Sequence, residues 1–147
     1  MKARKGFTLV ELLIVMAIIA ALMAILIPMA GGAMKKAKAT RVAVMMRNVE
    51  QAAEQYIMAY LPSNGNDITL DHLVDKGYLS TNTILTDITL SVNIGTDEYK
   101  IGVTYNGPKD ADFLEMIYTS LKDTYSSIAS DTDNGTITIT ATGSRFW

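Results

Sequence analysis

Few side chains in this sequence could carry acid–base, nucleophilic or metal chemistry, and their spacing excludes most of it. His72 is the only histidine and cysteine is absent. Neither a Ser-His-Asp arrangement, a thiol nucleophile nor a His- or Cys-based metal site can therefore be assembled, and the lone histidine reads as an exposed residue of a short helix. The run Asp131-Thr132-Asp133-Asn134-Gly135 begins like a calcium loop. However, Gly135 stands where a ligand is needed and no downstream Glu completes the pattern. A plain Asn-Gly hairpin turn is expected there, with Asp131 and Asp133 as the calcium candidates. Asn134-Gly135-Thr136 is also a formal glycosylation sequon. No Gly-rich phosphate loop or catalytic serine motif is present, so neither enzyme chemistry nor a cofactor is expected. One carboxylate stands out: Glu11 lies in a run, Phe7 to Ala30, whose only other polar side chain is Thr8. At the centre of a membrane span a carboxylate costs about 2.5–3.5 kcal/mol, and less near the end. Glu11 is therefore either an interfacial residue reaching headgroup water or a residue with a task.

The element that carries Glu11 is long. Phe7 to Ala30 would form a helix about 36 Å in length, enough to cross a hydrocarbon core of roughly 30 Å. It exceeds the apolar region of an ordinary secretory leader. Lys2, Arg4 and Lys5 make a basic tip ahead of it, while Lys35, Lys36, Lys38 and Arg41 flank its far end, so charge alone does not orient the span. Residues 1–50 hold eight Lys/Arg against Glu11 and Glu50, whereas residues 51–147 hold five against thirteen Asp/Glu. The two halves therefore face different surroundings. The basic run from Lys35 to Arg47 adjoins the span, which makes it a helix surface meeting headgroups or acidic neighbours rather than a nucleic-acid site.

The wording of Lys5-Gly6-Phe7-Thr8-Leu9-Val10-Glu11, followed by Leu12-Leu13-Ile14-Val15, resembles the class III signal of type IV pilins and the related pseudopilins. The resemblance covers Met1 to about Ala33. It implies that a prepilin peptidase cuts between Gly6 and Phe7 on the cytoplasmic face, that Phe7 is then N-methylated, and that the remainder of the chain lies outside. It also gives Glu11 a task. Residues 7 and 11 are four apart and share a helix face, so Glu11 can answer the ammonium created at Phe7. In a staggered bundle of identical helices it would answer the ammonium of a neighbour, and so set the register.

Beyond the span, Pro28, Gly31 and Gly32 predict an interruption of the helix. An amphipathic pattern then resumes to Tyr60, with Val42, Met45, Met46, Val49, Ala52, Ala53, Tyr56, Ile57 and Tyr60 on one stripe and Arg47, Asn48, Glu50, Gln51, Glu54 and Gln55 opposite. Breakers from Leu61 to Asn66 end it. Thr69 is placed to cap a short helix through Leu70, Leu73 and Val74 that Gly77 terminates, a segment also similar to one in many pilins. Period-two alternation over 88–94 and 99–105 predicts an antiparallel hairpin. A helix headed by Asp112 and Glu115 in capping-box spacing is expected to carry Phe113, Leu114, Ile117, Tyr118, Leu121, Tyr125 and Ile128. A last strand over 136–142 extends the sheet, and the terminal Phe146 and Trp147 are expected to dock on the head or on a neighbouring subunit.

The organisation that follows is a leader (1–6), a transmembrane or filament-core helix (7–33), an amphipathic half (34–61) and a head (62–147). The fold class is α+β and type IV pilin-like. The function expected is that of a structural subunit, stored in the cytoplasmic membrane with its N-terminus inside and its head outside. It would then be assembled by a pilus or secretion machinery into a helical homo-oligomeric filament outside the cell or in the periplasm. The nearest alternative is a major pseudopilin of a type II secretion system, towards which the lack of cysteine leans, because many pilins close a C-terminal loop with a disulfide. A membrane-tethered enzyme or binding module would have no use for Glu11.

Overall fold

A computed structural model of the chain describes residues 7–80, 86–125, 127–131 and 133–147. It resolves into two compact units, Met1–Lys36 and Ala37–Trp147. Helix α1, Leu9–Tyr60, contributes to both. In the first unit every side chain from Phe7 to Met34 is exposed, as expected of a segment apolar all round that has nothing of its own to pack against. The interruption expected at Pro28, Gly31 and Gly32 is not present, since helix runs through all three. A proline costs about 3 kcal/mol and a glycine about 1 kcal/mol in a helix interior. With long helical stretches on both sides, these local costs do not outweigh the expense of ending one helix and nucleating another.

In the second unit α1 changes character. Its stripe from Val42 to Ile57 is buried as the periodicity predicts, and Ala39 joins it, whereas Tyr60 is 54% exposed. Glu50, expected on the polar side, is buried instead. It lies four residues from Met46 and three from Ala53, on the stripe itself. The helix stops at Leu61, whose φ of 47° is left-handed. Pro62 follows and disfavours a helical conformation in the residue before it.

The short loop after α1 passes so near β1 (Ile88–Ile94) that a Cβ on Gly65 would meet the Val92 carbonyl at 2.2 Å. Helix α2, Leu70–Asp75, is capped by Thr69, whose side chain accepts from the His72 N–H, and the chain leaves it through Gly77 at φ 79°. Strand β1 pairs antiparallel with β2 (Glu98–Tyr105), with Ile88 opposite Tyr105 and Ile94 opposite Tyr99. This is the predicted hairpin. Tyr99, Ile101, Val103 and Tyr105 are buried, while Thr89, Ser91 and Asn93 face outward.

The C-terminal region departs from expectation in two places. Helix α3 spans Ala111–Leu121 and is capped by Asp110, whose side chain accepts from the Phe113 N–H at 3.3 Å, rather than by Asp112 and Glu115. Asp110 is two residues past Pro108 and already extended (φ −104°, ψ 111°), the geometry of a cap residue. At the other end the Thr124 and Tyr125 N–H groups both bond to the Leu121 carbonyl and close the helix. Ile128 therefore leaves the helical stripe and opens strand β3, Ile128–Asp131. Paired opposite Ile139, it completes ladder bonds that a frayed helical turn rich in Ser, Thr and Asp would not provide. Strand β4 (Thr136–Ser144) lies between β2 and β3, giving the order β1-β2-β4-β3, all antiparallel. β4 continues two residues past Thr142 because Glu98 pairs with Ser144.

Ile137 and Ile139 of β4 join Ile101, Val103, Leu114, Ile117 and the α1 stripe in one core. Ile139 is fully buried, whereas Thr142 on the same strand is exposed. Ile139→Ala should cost about 2–5 kcal/mol and Thr142→Ala less than about 0.5 kcal/mol, read from denaturant unfolding of the detergent-solubilised chain.

Candidate functional site

The residues singled out at the N-terminus begin with Phe7, 86% exposed. Gly6 lies outside the described residues. Thr8 and Glu11 are joined reciprocally: the Thr8 N–H and Oγ1 each donate to Glu11 Oε2 at 2.9 Å, and the Glu11 N–H donates to Thr8 Oγ1 at 3.2 Å. This is a capping box. Thr8 stands immediately before Leu9, the first residue of α1, and the Leu12 N–H bonds to its carbonyl. The carboxylate at the third helical position satisfies donors that a helix start leaves unpaired, and it sits where the helix dipole favours negative charge. The Thr-x-x-Glu spacing was visible in the sequence. The charge's cost in lipid points to partners farther away, whereas the carboxylate's own first turn supplies them.

Glu11 is thus held over the first turn, bonded to the N–H of the residue that follows Phe7. The structure does not bring Pro28, Gly31 and Gly32 into any site. A Cβ on either glycine would meet nothing within 4 Å, so close packing within the chain does not account for them.

The other candidates resolve as structural. Asp131 accepts from the N–H groups of Asp133 and Asn134 through Oδ1, and from Asn134 Nδ2 at 2.7 Å through Oδ2. Both its oxygens therefore serve the turn, which Gly135 completes at φ 70°. These donors hold the Asp131 carboxyl below its ordinary pKa. Thr132 lies outside the described residues, and among those described no group of three His, Cys, Asp or Glu side chains could hold a metal ion. His72 is half-buried rather than exposed. Its ring packs edge-on against Tyr56 at 5.2 Å, and Nδ1 lies 2.7 Å from the Asp67 carbonyl. Of the terminal aromatics, Trp147 docks on the head, donating from Nε1 to the Pro62 carbonyl with its ring 6.1 Å from that of Tyr99, while Phe146 remains 73% exposed.

Residues 1–27 match the family model described as the prokaryotic N-terminal methylation motif. This is the class III signal, the signature of type IV pilins and pseudopilins, and the long apolar helix followed by an antiparallel sheet and an extra helix is a pilin-like α+β arrangement. No curated protein and no solved structure matches the chain.

The box makes Thr8 a positioning residue for the carboxylate. Thr8→Val should weaken the first turn by about 1 kcal/mol. Hydrogen exchange of the first α1 amides in detergent micelles should become roughly fivefold faster, with that of the head unchanged.

Proposed function

We propose that the chain is a structural subunit of a type IV pilus-like filament, stored in the cytoplasmic membrane and drawn from it by its N-terminal helix. One observation carries the reading: the methylation motif covers the start of a helix whose apolar side chains, from Leu9 to Met34, are all left exposed. Lipid covers such a surface before assembly, and other copies of the same helix cover it afterwards, because the two surroundings are similarly apolar. On this reading a prepilin peptidase cuts between Gly6 and Phe7 and the new N-terminus is methylated, which the methylation motif over residues 1–27 supports. The head then lies outside and forms the filament surface. The Pro28–Gly32 stretch, intact as helix in the single chain, is where a filament under extension would give up helical bonds first.

Glu11 joins processing to assembly. Cleavage creates an ammonium at Phe7, next to the Thr8 N–H that the Glu11 carboxylate already accepts. In the lone subunit that carboxylate is answered within its own first turn. In a staggered bundle it can be shared with the Phe7 ammonium of a neighbour, in a core where an unanswered charge would be costly. The absence of cysteine supports a variant of the reading, a major pseudopilin of a type II secretion system, with the same chemistry at the N-terminus. Loss of protein secretion on deletion, without loss of surface fibres, would select that variant.

Two outcomes are expected. Mass spectrometry of membrane material should find a mature chain starting at methylated Phe7, and Gly6→Arg should accumulate the precursor. A chain retaining Met1 would refute the processing. Glu11→Leu should leave the subunit inserted and cleaved yet reduce filaments to a few per cent or none, in cells without wild-type subunit; normal filament yield would return Glu11 to a purely interfacial role.

A further inference from the structure

Among the described residues Glu50 is the one charged side chain that is buried, at 6% exposure. It faces the connection that follows α3, where the Tyr125 hydroxyl donates to Glu50 Oε2 at 2.9 Å. Among the described residues no cation forms a salt bridge with it. Arg47, three residues earlier on α1, turns its guanidinium to the Ser120 carbonyl at the end of α3, 2.6 Å away. Glu54, one turn later, adds a second negative charge and accepts from the Tyr99 hydroxyl of β2 at 3.2 Å. Among the described residues, the charged and titratable groups around Glu50 are Arg47 and Glu54 on its own helix, Tyr125 from the α3–β3 connection and Tyr99 from β2.

We propose that Glu50 and Tyr125 form an acid-tightened latch between α1 and the α3–β3 connection, with Glu50 taking up a proton as the pH falls and the head packing more firmly on α1 in consequence. The neutral acid keeps a carbonyl oxygen to accept the Tyr125 hydroxyl, so the bond survives while the buried charge disappears. Above the transition the same bond must hold a carboxylate in a poorly solvated place beside Glu54. Burial is the largest influence on Glu50 and raises its pKa, the Tyr125 hydrogen bond lowers it, and the charge of Glu54 raises it again, for a net rise above 4.5. A carboxyl whose folded-state pKa is raised contributes stability that is complete below its unfolded value and lost as the pH climbs through the raised one. Burial, the bond to Glu50 and the nearby carboxylate charges likewise push the Tyr125 hydroxyl above its ordinary value. The latch therefore loosens again where free tyrosines begin to ionise, near pH 10. This inference concerns the head alone and does not depend on the filament.

The test follows thermal unfolding of the full chain in detergent micelles, by near-ultraviolet circular dichroism, from pH 5 to pH 8. The wild-type midpoint should fall by roughly 5 °C over that range. Glu50→Gln, which can still accept from Tyr125, should show a nearly flat profile and melt above the wild type at pH 8. A wild-type slope in Glu50→Gln, or a flat profile in Glu54→Gln instead, overturns the proposal. Should Glu50→Gln fail to fold, Tyr125→Phe decides. Removing the donor leaves the carboxylate less supported, so the fall should become steeper; an unchanged slope refutes the latch.

Discussion

Everything else in this protein is arranged around a surface that the chain does not cover. Between Phe7 and Met34 there are seventeen large apolar side chains, each about half exposed or more, on a stretch whose most apolar window has a mean hydropathy of 3.0. Full burial of such a side chain is worth about 1.5–3 kcal/mol; since these are already partly covered, the set represents on the order of 15–30 kcal/mol of unrealised stabilisation. A folded domain is stable by only about 5–15 kcal/mol. The isolated chain in water is therefore not an end state, and some apolar medium must surround the first half of α1. The apolar N-terminal helix and the methylation motif together suit anchoring in a membrane followed by assembly.

That constraint separates the two units by the kind of packing each uses. The N-terminal unit makes no core and relies on what surrounds it. Ala37–Trp147 has a core of its own, in which small residues of α1 (Ala39, Ala43, Ala52 and Ala53) admit close approach and the Ile and Val side chains of β2 and β4 supply bulk. The outer face of the sheet is polar and hydroxyl-rich, with Thr104 and Thr138 bonded across the β2–β4 pair at 2.8 Å. A sheet packed on one side only requires this alternation, and it leaves the head's outward surface hydrophilic whatever the N-terminal helix is embedded in.

What could be read from residues alone follows the strength of the local signal. The α1 stripe, the Thr69 cap, the Gly77 exit and the β1–β2 hairpin were legible because periodicity, cap chemistry and turn residues agreed at each. The failures occur where two signals competed. Ile128 fits the helical stripe of α3 by spacing, but its pairing with Ile139 is a long-range contact that no local pattern announces. Glu50 is polar by type, but its position between Met46 and Ala53 puts it on the apolar face. Nothing local to His72 announces its cover, because the Tyr56 ring that packs on it lies sixteen residues away. At the N-terminus the order was reversed. The motif is distinctive as a whole, and it masks the local Thr-x-x-Glu cap inside it.

The capping box also explains how a carboxylate can be tolerated so near a hydrocarbon core without being committed to one partner. A helix start leaves up to four N–H groups unpaired, and in lipid each unsatisfied group costs several kcal/mol. Glu11 and Thr8 relieve part of that debt within the first turn, so the charge offsets a cost that any helix beginning there would incur. Both donors from Thr8 converge on Oε2, and a carboxylate has about four lone-pair sites. Capping its own helix therefore does not exhaust the acceptor. A carboxylate that caps its own helix keeps acceptor capacity for a cation. On the proposed reading, capping in the solitary subunit and pairing between subunits therefore need not compete.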